Sequence, residues 1–576
     1  MRTSNALLPS VALAVGVSGF SGLASATTYQ VGPTRTYKTP GAVAGMLRAG
    51  DVVEIDGNAT YTGGTVFGNA GTATAPITIR GLRVNGKRPI LSGGSNTIEA
   101  AGDHYVFEGL EITGGTARCF FHHAHDVVFR DAFVHDCPLQ GVLGADNDSG
   151  SMLMEYVEVT RAGGGTRDHQ VYMATDETTH PGSVFRMQYC YIHDGNGGNN
   201  VKSRAERNEI YYNWLEGAVY HELELIGPDP AGGAGTSARE DSDVVGNVLV
   251  QTNTFYVTRF GGDGTGETNG RYRFVNNTVI VQPNGSAVFR LFDGLQSVEM
   301  HNNVFFSAGA GVNLVRTTEA TFTNGRQIAG SNNWIRTGSS AVPPEWTGTL
   351  TGADPGFVNA SMLNFRPTGT SPLVNAGASS TSGPAGYAFP SPLAAPQFES
   401  PQRSAGLPGS ATARTIVGTI DIGAYEYSSG SSGSGGVGGS AGAGGSSGAG
   451  VGGSSGTAGT GAVGGASGSG GTSASGGSSG MAGAGGSGGS SATGGSGAGG
   501  TASGGRAGTA GSGTGGRAGT STGARAGSSQ ADGGASEDSG GCGCRAAGSS
   551  PTRASIWLGA LLFALLRRRG ARRSRG

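Results

Sequence analysis

Short runs of bulky and β-branched residues, each opened by a polar or small residue, recur along the middle of the chain. They read FEGLEI (107–112), FRDAFV (129–134), MEYVEV (154–159), MQYCYI (187–192), IYYNWL (210–215), VGNVLV (245–250), VNNTVI (275–280), HNNVFF (301–306) and SNNWIR (331–336). Alignment places Leu110, Ala132, Val157, Cys190, Asn213, Asn247, Asn277, Asn303 and Asn333 in one column, and subtracting neighbouring numbers gives steps of 22 to 34 residues. Helical repeats hold a tighter period and show apolar residues every 3.6 positions, a pattern missing here. Short strands at variable spacing predict a parallel β-helix, in which each repeat is one coil and the turns absorb the length differences. Coil backbones then bond at ~4.8 Å and like side chains stack in rows. One Asn is explained by a turn. Five in column predict an amide ladder, each carboxamide donating to the next, within a rod of roughly 40 Å for nine coils.

A rod of this kind has two open ends that need covers. At the N-terminal end, Thr39 is placed to cap a helix starting at Pro40, with Val43, Met46 and Leu47 on one face, ahead of the strand in AGDVVEIDG. At the far end, ADPGFVNASMLNFRPTGTSPLVNAG and DIGAYEY read as a closing segment on the last coil. These ends and the Asn column resemble secreted right-handed parallel β-helix proteins of the pectate-lyase-like group over most of residues 27–427. The expected fold class is therefore all-β, a right-handed parallel β-helix with an N-terminal helical cap. The fold alone implies no single activity.

Composition separates this body from its flanks. Residues 1–26, with Arg2, an apolar run Val11–Phe20 and Ala24-Ser25-Ala26, fit a signal peptide. From Ser428 to Gly541 the chain is nearly all Gly, Ser, Ala and Thr, a disordered linker with a reach of roughly 55–65 Å. Residues 542–576 hold Cys542-Gly543-Cys544-Arg545, an apolar run Ile556–Leu566 and an arginine tail. That run is shorter than the ~20 residues of a spanning helix. Its order resembles the C-terminal sorting segment of myxobacterial surface proteins, which implies tail removal and display at the cell surface. Export is thus expected, with membrane contact only through this segment. A formal net charge of −2 gives no reason to expect nucleic acid, and a monomer is expected. The body's cysteines are Cys119, Cys137 and Cys190; export permits a disulfide, Cys119 and Cys137 are the nearer pair, and the odd count leaves the pairing open.

The same register locates candidate chemistry. Stepping 12 residues past the column gives Lys202, one of three lysines against 35 arginines, then positions at or beside Glu224, Arg259, Arg290 and Arg316. Aligning Val171 with Val201 sets Tyr172 opposite Lys202, with His169 nearby. A stripe of Tyr172, Lys202, Glu224, Arg259, Arg290 and Arg316 suits a linear acidic polysaccharide, whose carboxylates or sulfates pair with guanidinium groups. Cleavage by β-elimination would need the substrate acid neutralised, a base and an acid. Lys202, its charge disfavoured by neighbouring Arg204, is the candidate base; Arg204 and Arg259 would meet the acid group, and His169 or Tyr172 would protonate the leaving oxygen. A solvated polar face and a salt-bridged structural lysine are the bland alternatives.

Asn200-Val201-Lys202-Ser203, with Asn208 and Asn213, resembles the Lys-Ser segment of alginate and chondroitin lyases on this fold, and the resemblance implies a basic lysine and calcium. Those enzymes carry acidic calcium ligands just before the lysine and an arginine one coil later. This chain has Asp194-Gly195-Asn196-Gly197-Gly198 and His221-Glu222-Leu223-Glu224 there, so the cofactor is left unassigned and calcium's ligands are not evident. The set HQVY, NNVKSRA and HELELIGPD is similar to a β-helix subgroup with no settled reaction. Gly-Asp-Asp and Gly-His-Gly runs of hydrolases and the Asp-Pro-His-Glu run of epimerases are missing. His122-His123-Ala124-His125-Asp126 invites a metal reading, but it sits in a turn with no partner cluster, and no metal is expected there. The expected function is a surface polysaccharide-active β-helix, lyase-like, with a non-catalytic polysaccharide-binding adhesin or surface structural protein as the alternative.

Overall fold

A computed structural model describes residues 26–429, apart from 228–239, 263–267, 293, 318–320, 388, 390 and 394. The signal peptide, the sorting segment and nearly all of the linker expected from the sequence lie outside the described residues. Among those residues, no helix is long and apolar enough to cross a membrane.

The body is a right-handed parallel β-solenoid of about 11 turns. Strand-to-strand crossovers of one hand follow from the right-handed twist of each strand. Among the described residues the largest sheet has 23 strands and wraps a corner, a second has ten, from Thr65–Phe67 to Asn313–Thr317, with every pairing in these two parallel, and Phe357–Asn359 and Asn364–Pro367 form a small antiparallel pair. Inward positions are apolar and stack coil on coil: Phe120 lies on Phe129 with ring centroids 4.3 Å apart, and Phe107 meets Phe120 edge-on at 5.2 Å. Each fully buried aromatic of this kind contributes about 2–3 kcal/mol of transfer free energy.

The corner of the large sheet carries the Asn column. Asn213 Nδ2 donates to Asn247 Oδ1 (2.9 Å), Asn247 to Asn277 (3.0 Å), Asn277 to Asn303 (3.1 Å) and Asn303 to Asn333 (3.0 Å). Each amide also donates to a main-chain carbonyl of the preceding coil, and each acceptor oxygen takes the main-chain N–H one coil back, as Asn277 Oδ1 takes Asn247 N–H at 2.9 Å. Every rung is fully buried. The residue before each rung has positive φ (Tyr212 55°, Gly246 70°, Asn276 54°, Asn302 57°, Asn332 51°), so the chain bends there in the left-handed region that Gly and Asn tolerate best.

Two end elements differ from expectation. The expected N-terminal helical cap is reduced to a single turn, Gly41–Ala44: Val43 and Leu47 are buried, but Pro40 rather than Thr39 occupies its N-cap with no side-chain bond, and Met46 is exposed. Proline and two glycines within Pro40–Gly45 leave too little helix-forming sequence to extend it. The segment after Gly352 does not close the last coil alone. It runs back along the flank of the large sheet, where Ala378 bonds Asn302, Ser391 carbonyl accepts from Arg273, Ser400 bonds Asn213 and Arg403 pairs with Glu216. Its Phe357, Phe365, Leu373, Ile422 and Tyr425 cover Trp214, Val248, Val304 and Trp334 on the outer face. Cys119 and Cys137 form a disulfide, and Cys190 is a buried thiol.

Candidate functional site

The outer face of the ten-stranded sheet stacks the stripe in register. Tyr172 pairs with Lys202, Lys202 with Glu224, Glu224 with Arg259, Arg259 with Arg290 and Arg290 with Arg316. Five steps at ~4.8 Å make it roughly 24 Å long. Alternation within each strand explains the placement: Val201 and Ser203 point into the core, so Lys202 and Arg204 point out.

Outward does not mean open. Side chains of neighbouring coils cover the stripe: Phe121, Leu143 and Ala145 pack on Tyr172, Asn199 lies against Glu224 and Phe292 lies under Arg259, so Tyr172 and Glu224 are 2 % exposed and Arg259 7 %. The Lys202 side chain keeps 14 % of its surface, Arg290 is half-buried and Arg316 is exposed. Lys202 Nζ lies 3.8 Å from Glu224 Oε2 and 5.3 Å from the Tyr172 ring centroid. Arg259 Nη1 reaches Glu224 Oε1 at 2.9 Å, and Asn199 Nδ2 donates to Oε2 at 2.6 Å. Burial alone would raise the Glu224 carboxyl, but Arg259 and Lys202 outweigh it and hold the group well below the usual carboxylate range. The outer arginines lie on aromatic faces: Arg259 and Arg290 over Phe292 (4.2 and 4.6 Å), Arg290 and Arg316 over Tyr256 (5.6 and 5.9 Å). Arg316 also donates to the Tyr256 hydroxyl at 2.5 Å.

Two histidines flank this centre with opposite tautomers. His169 Nδ1 accepts from the Asn199 main-chain N–H (2.9 Å), which leaves its proton on Nε2. His221 Nδ1 donates to the Tyr256 carbonyl (2.8 Å), which leaves Nε2 as an acceptor, buried and with no partner among the described residues. Burial pushes His169 down to about 3, helped by Lys202, and His221 down to about 4. Both rings are neutral at pH 7.

Arg204 does not reach the face. It is 2 % exposed, donating from Nε to the Tyr172 hydroxyl (3.1 Å) and from Nη1 to the Gly227 carbonyl (2.6 Å), so it positions Tyr172 and cannot clamp a substrate acid. Sequence reasoning missed Asn199, His221, Tyr256 and Phe292. Asn199 sits three positions before Lys202 and Tyr256 three before Arg259, a shared offset that would have flagged the turns as walls.

The residues before Lys202 do not fit a calcium site. Asp194 is paired with His193 (2.8 Å), and the Asn196 amide donates to the Arg161 carbonyl (3.0 Å). Among the described residues no group of three His, Cys, Asp or Glu is placed to hold a metal ion. In the 122–126 run, His122 is buried with Nδ1 on the Ala124 carbonyl, His123 pairs with Glu99 and His125 stacks on His180, so the imidazoles diverge.

No family model matches the sequence, and no curated protein does. Among solved structures, pectate lyase Pel9A is similar at 14 % identity over 71 % of this chain and 98 % of its own, TM-score 0.41. A rhamnogalacturonan lyase is 12 % identical over 59 % and 93 %, TM-score 0.37. An alginate lyase from a Paenibacillus species is 13 % identical over 57 % and 99 %, TM-score 0.30. Likeness at this level assigns no chemistry to the chain.

Proposed function

We propose that this protein acts on an acidic polysaccharide laid along the stripe, at the cell surface or outside the cell. One observation carries this reading: four cations, Lys202, Arg259, Arg290 and Arg316, stack at coil spacing around a single carboxylate, Glu224. The surplus charge lies along a line, as the acid groups of a uronic-acid chain do, and side chains held on aromatic faces are ready to pair without reordering. The Cys119–Cys137 disulfide supports export to an oxidising compartment.

In the catalytic form of this proposal, Lys202 first gives up its own proton to solvent and, as the neutral amine, removes the proton next to the substrate carboxylate. The electron pair forms a carbon–carbon double bond, the bond to the leaving sugar oxygen breaks, and that oxygen takes a proton from Tyr172 or His169 Nε2–H beside the lysine. Arg259 and Arg290 neutralise the acid group. A second reading, binding without cleavage, is favoured by Glu224, whose carboxylate gives the Lys202 ammonium a counter-charge at 3.8 Å. Incubation with alginate, pectate and glycosaminoglycans separates the two. The lyase yields the ultraviolet absorbance of an unsaturated uronate, abolished by Lys202→Ala. Binding that survives Lys202→Ala with no absorbance selects the second reading. No binding to any of these polymers overturns both.

A further inference from the structure

Beside the stripe, two adjacent turns present aromatic side chains outward. Phe255 is 44 % exposed and Val219 43 %, while Tyr220 is half-buried. Tyr220 and Phe255 meet edge-on at 4.5 Å, and Tyr220 lies on His221 at 4.0 Å. Both occupy the same row, four positions before Glu224 and Arg259, and the row adjoins the stripe through His221 and Tyr256, whose rings lie 6.0 Å apart, with Arg290 and Arg316 over Tyr256. At ~3.3 Å per residue, four positions place this row within about 13 Å of it.

An exposed phenylalanine on a loose loop would need no explanation. This one is clamped. Asn253 Nδ2 donates to the carbonyls of Ala218 (2.7 Å) and Tyr220 (3.0 Å), and its Oδ1 accepts the Phe255 N–H (2.8 Å). The Gln251 amide donates to the Phe255 carbonyl. One side chain thus ties two coils together at the point where both aromatics emerge, a rigid presentation of apolar surface next to a cationic face.

We infer that Tyr220 and Phe255 form a stacking platform for one pyranose ring of the polysaccharide, taking the ring's C–H face while a neighbouring acid group reaches Lys202 or Arg290. This rests on the proposed function and adds a subsite to it. Ring stacking is apolar and insensitive to salt, whereas the arginine contacts are screened; the two contributions therefore separate experimentally.

The test is affinity electrophoresis and calorimetry of the full chain with alginate, pectate and a neutral glucan, at low and high salt. Phe255→Ala and Tyr220→Ala are expected to weaken binding about 10-fold each, a typical loss for one aromatic contact, with the salt dependence unchanged. Asn253→Ala is expected to weaken it several-fold by releasing the clamp, and Phe255→Trp to retain it. Arg316→Ala is expected to weaken binding at low salt only. Wild-type affinity in Phe255→Ala and Tyr220→Ala, against a wild type that binds, overturns the platform and leaves the stripe standing. A wild type that binds none of the glycans overturns both.

Discussion

Two carboxylates two residues apart, Glu222 just before the strand Leu223–Ile226 and Glu224 within it, show how side-chain surroundings set charge in this site. Both are fully buried. Glu224 has Arg259 and Lys202 against it and stays ionised; Glu222 has Asn200 Nδ2 (2.5 Å) and the Ala218 N–H (3.2 Å) but no cation among the described residues, and burial raises it to about 8. The consequence for stability has a definite sign. The unfolded chain releases this proton near the ordinary glutamate value of 4.5, while the folded chain keeps it to about pH 8. Between those values the folded state binds more protons, so stability falls as pH rises through that window and levels off above it. Glu222→Gln should flatten this fall, worth on the order of a few kcal/mol across the window. Urea denaturation at pH 5 and pH 8 checks it: parallel pH dependence in wild type and variant would mean that Glu222 is ionised in the fold. Glu224→Gln should instead destabilise by about 3 kcal/mol at pH 7, because it strands Arg259 beside Lys202 without their anion, and a melting temperature equal to that of the wild type would contradict the pairing.

At the scale of strands and turns, the Asn ladder turns a sequence column into a structural one, and it explains what could be read in advance. Parallel coils in register convert a fixed offset along the chain into a fixed place on the surface. Tyr172, Lys202, Glu224, Arg259, Arg290 and Arg316 were therefore placeable from the sequence, and they do stack. Burial of the stripe was legible only in the shared offset of Asn199 and Tyr256, because the rest of its cover comes from side chains in no such repeat; Arg204 therefore looked like a surface clamp and proves to be a buried strut under Tyr172. The ladder itself makes a quantitative prediction. Asn277→Ala takes the acceptor from the Asn247 N–H and a donor from the Val244 carbonyl, at roughly 1–3 kcal/mol each, so a loss of about 2–6 kcal/mol is expected. Asn277→Ala with Asn303→Ala should cost less than the sum of the two, since they share the 3.1 Å bond. Additive losses in a double-mutant cycle would show that the rungs act independently.

Across the whole solenoid, the long return of residues 353–427 is the feature that the sequence concealed. Local chemistry announced a terminal segment, but no periodicity marks which coils it will lie against, and its contacts reach far back along the chain, as between Ser400 and Asn213, 187 positions apart. Its attachment centres on Arg414, a fully buried guanidinium that pairs with Glu426 at 2.8 Å and donates to the carbonyls of Gly423 (2.8 Å) and Asp421 (3.0 Å). Those same carbonyls accept from the Asn276 side chain, and Ala424 N–H donates to Thr278 Oγ1 at 3.0 Å, so Arg414 shapes the loop that docks on the coils. Arg414→Ala leaves Glu426 buried without its cation, at about 3–5 kcal/mol. Because the coils are joined by their own ladders and inward aromatics, the flank should release before they unwind. Trp214 and Trp334, buried beneath Phe365 and Phe357, would then meet water. The expected result in the variant is a red-shifted tryptophan emission transition that precedes the loss of β-sheet circular dichroism, where the wild type shows the two closer together. Coincident transitions in the variant would mean that flank and coils form one cooperative unit, with the return segment as integral to the solenoid as any coil.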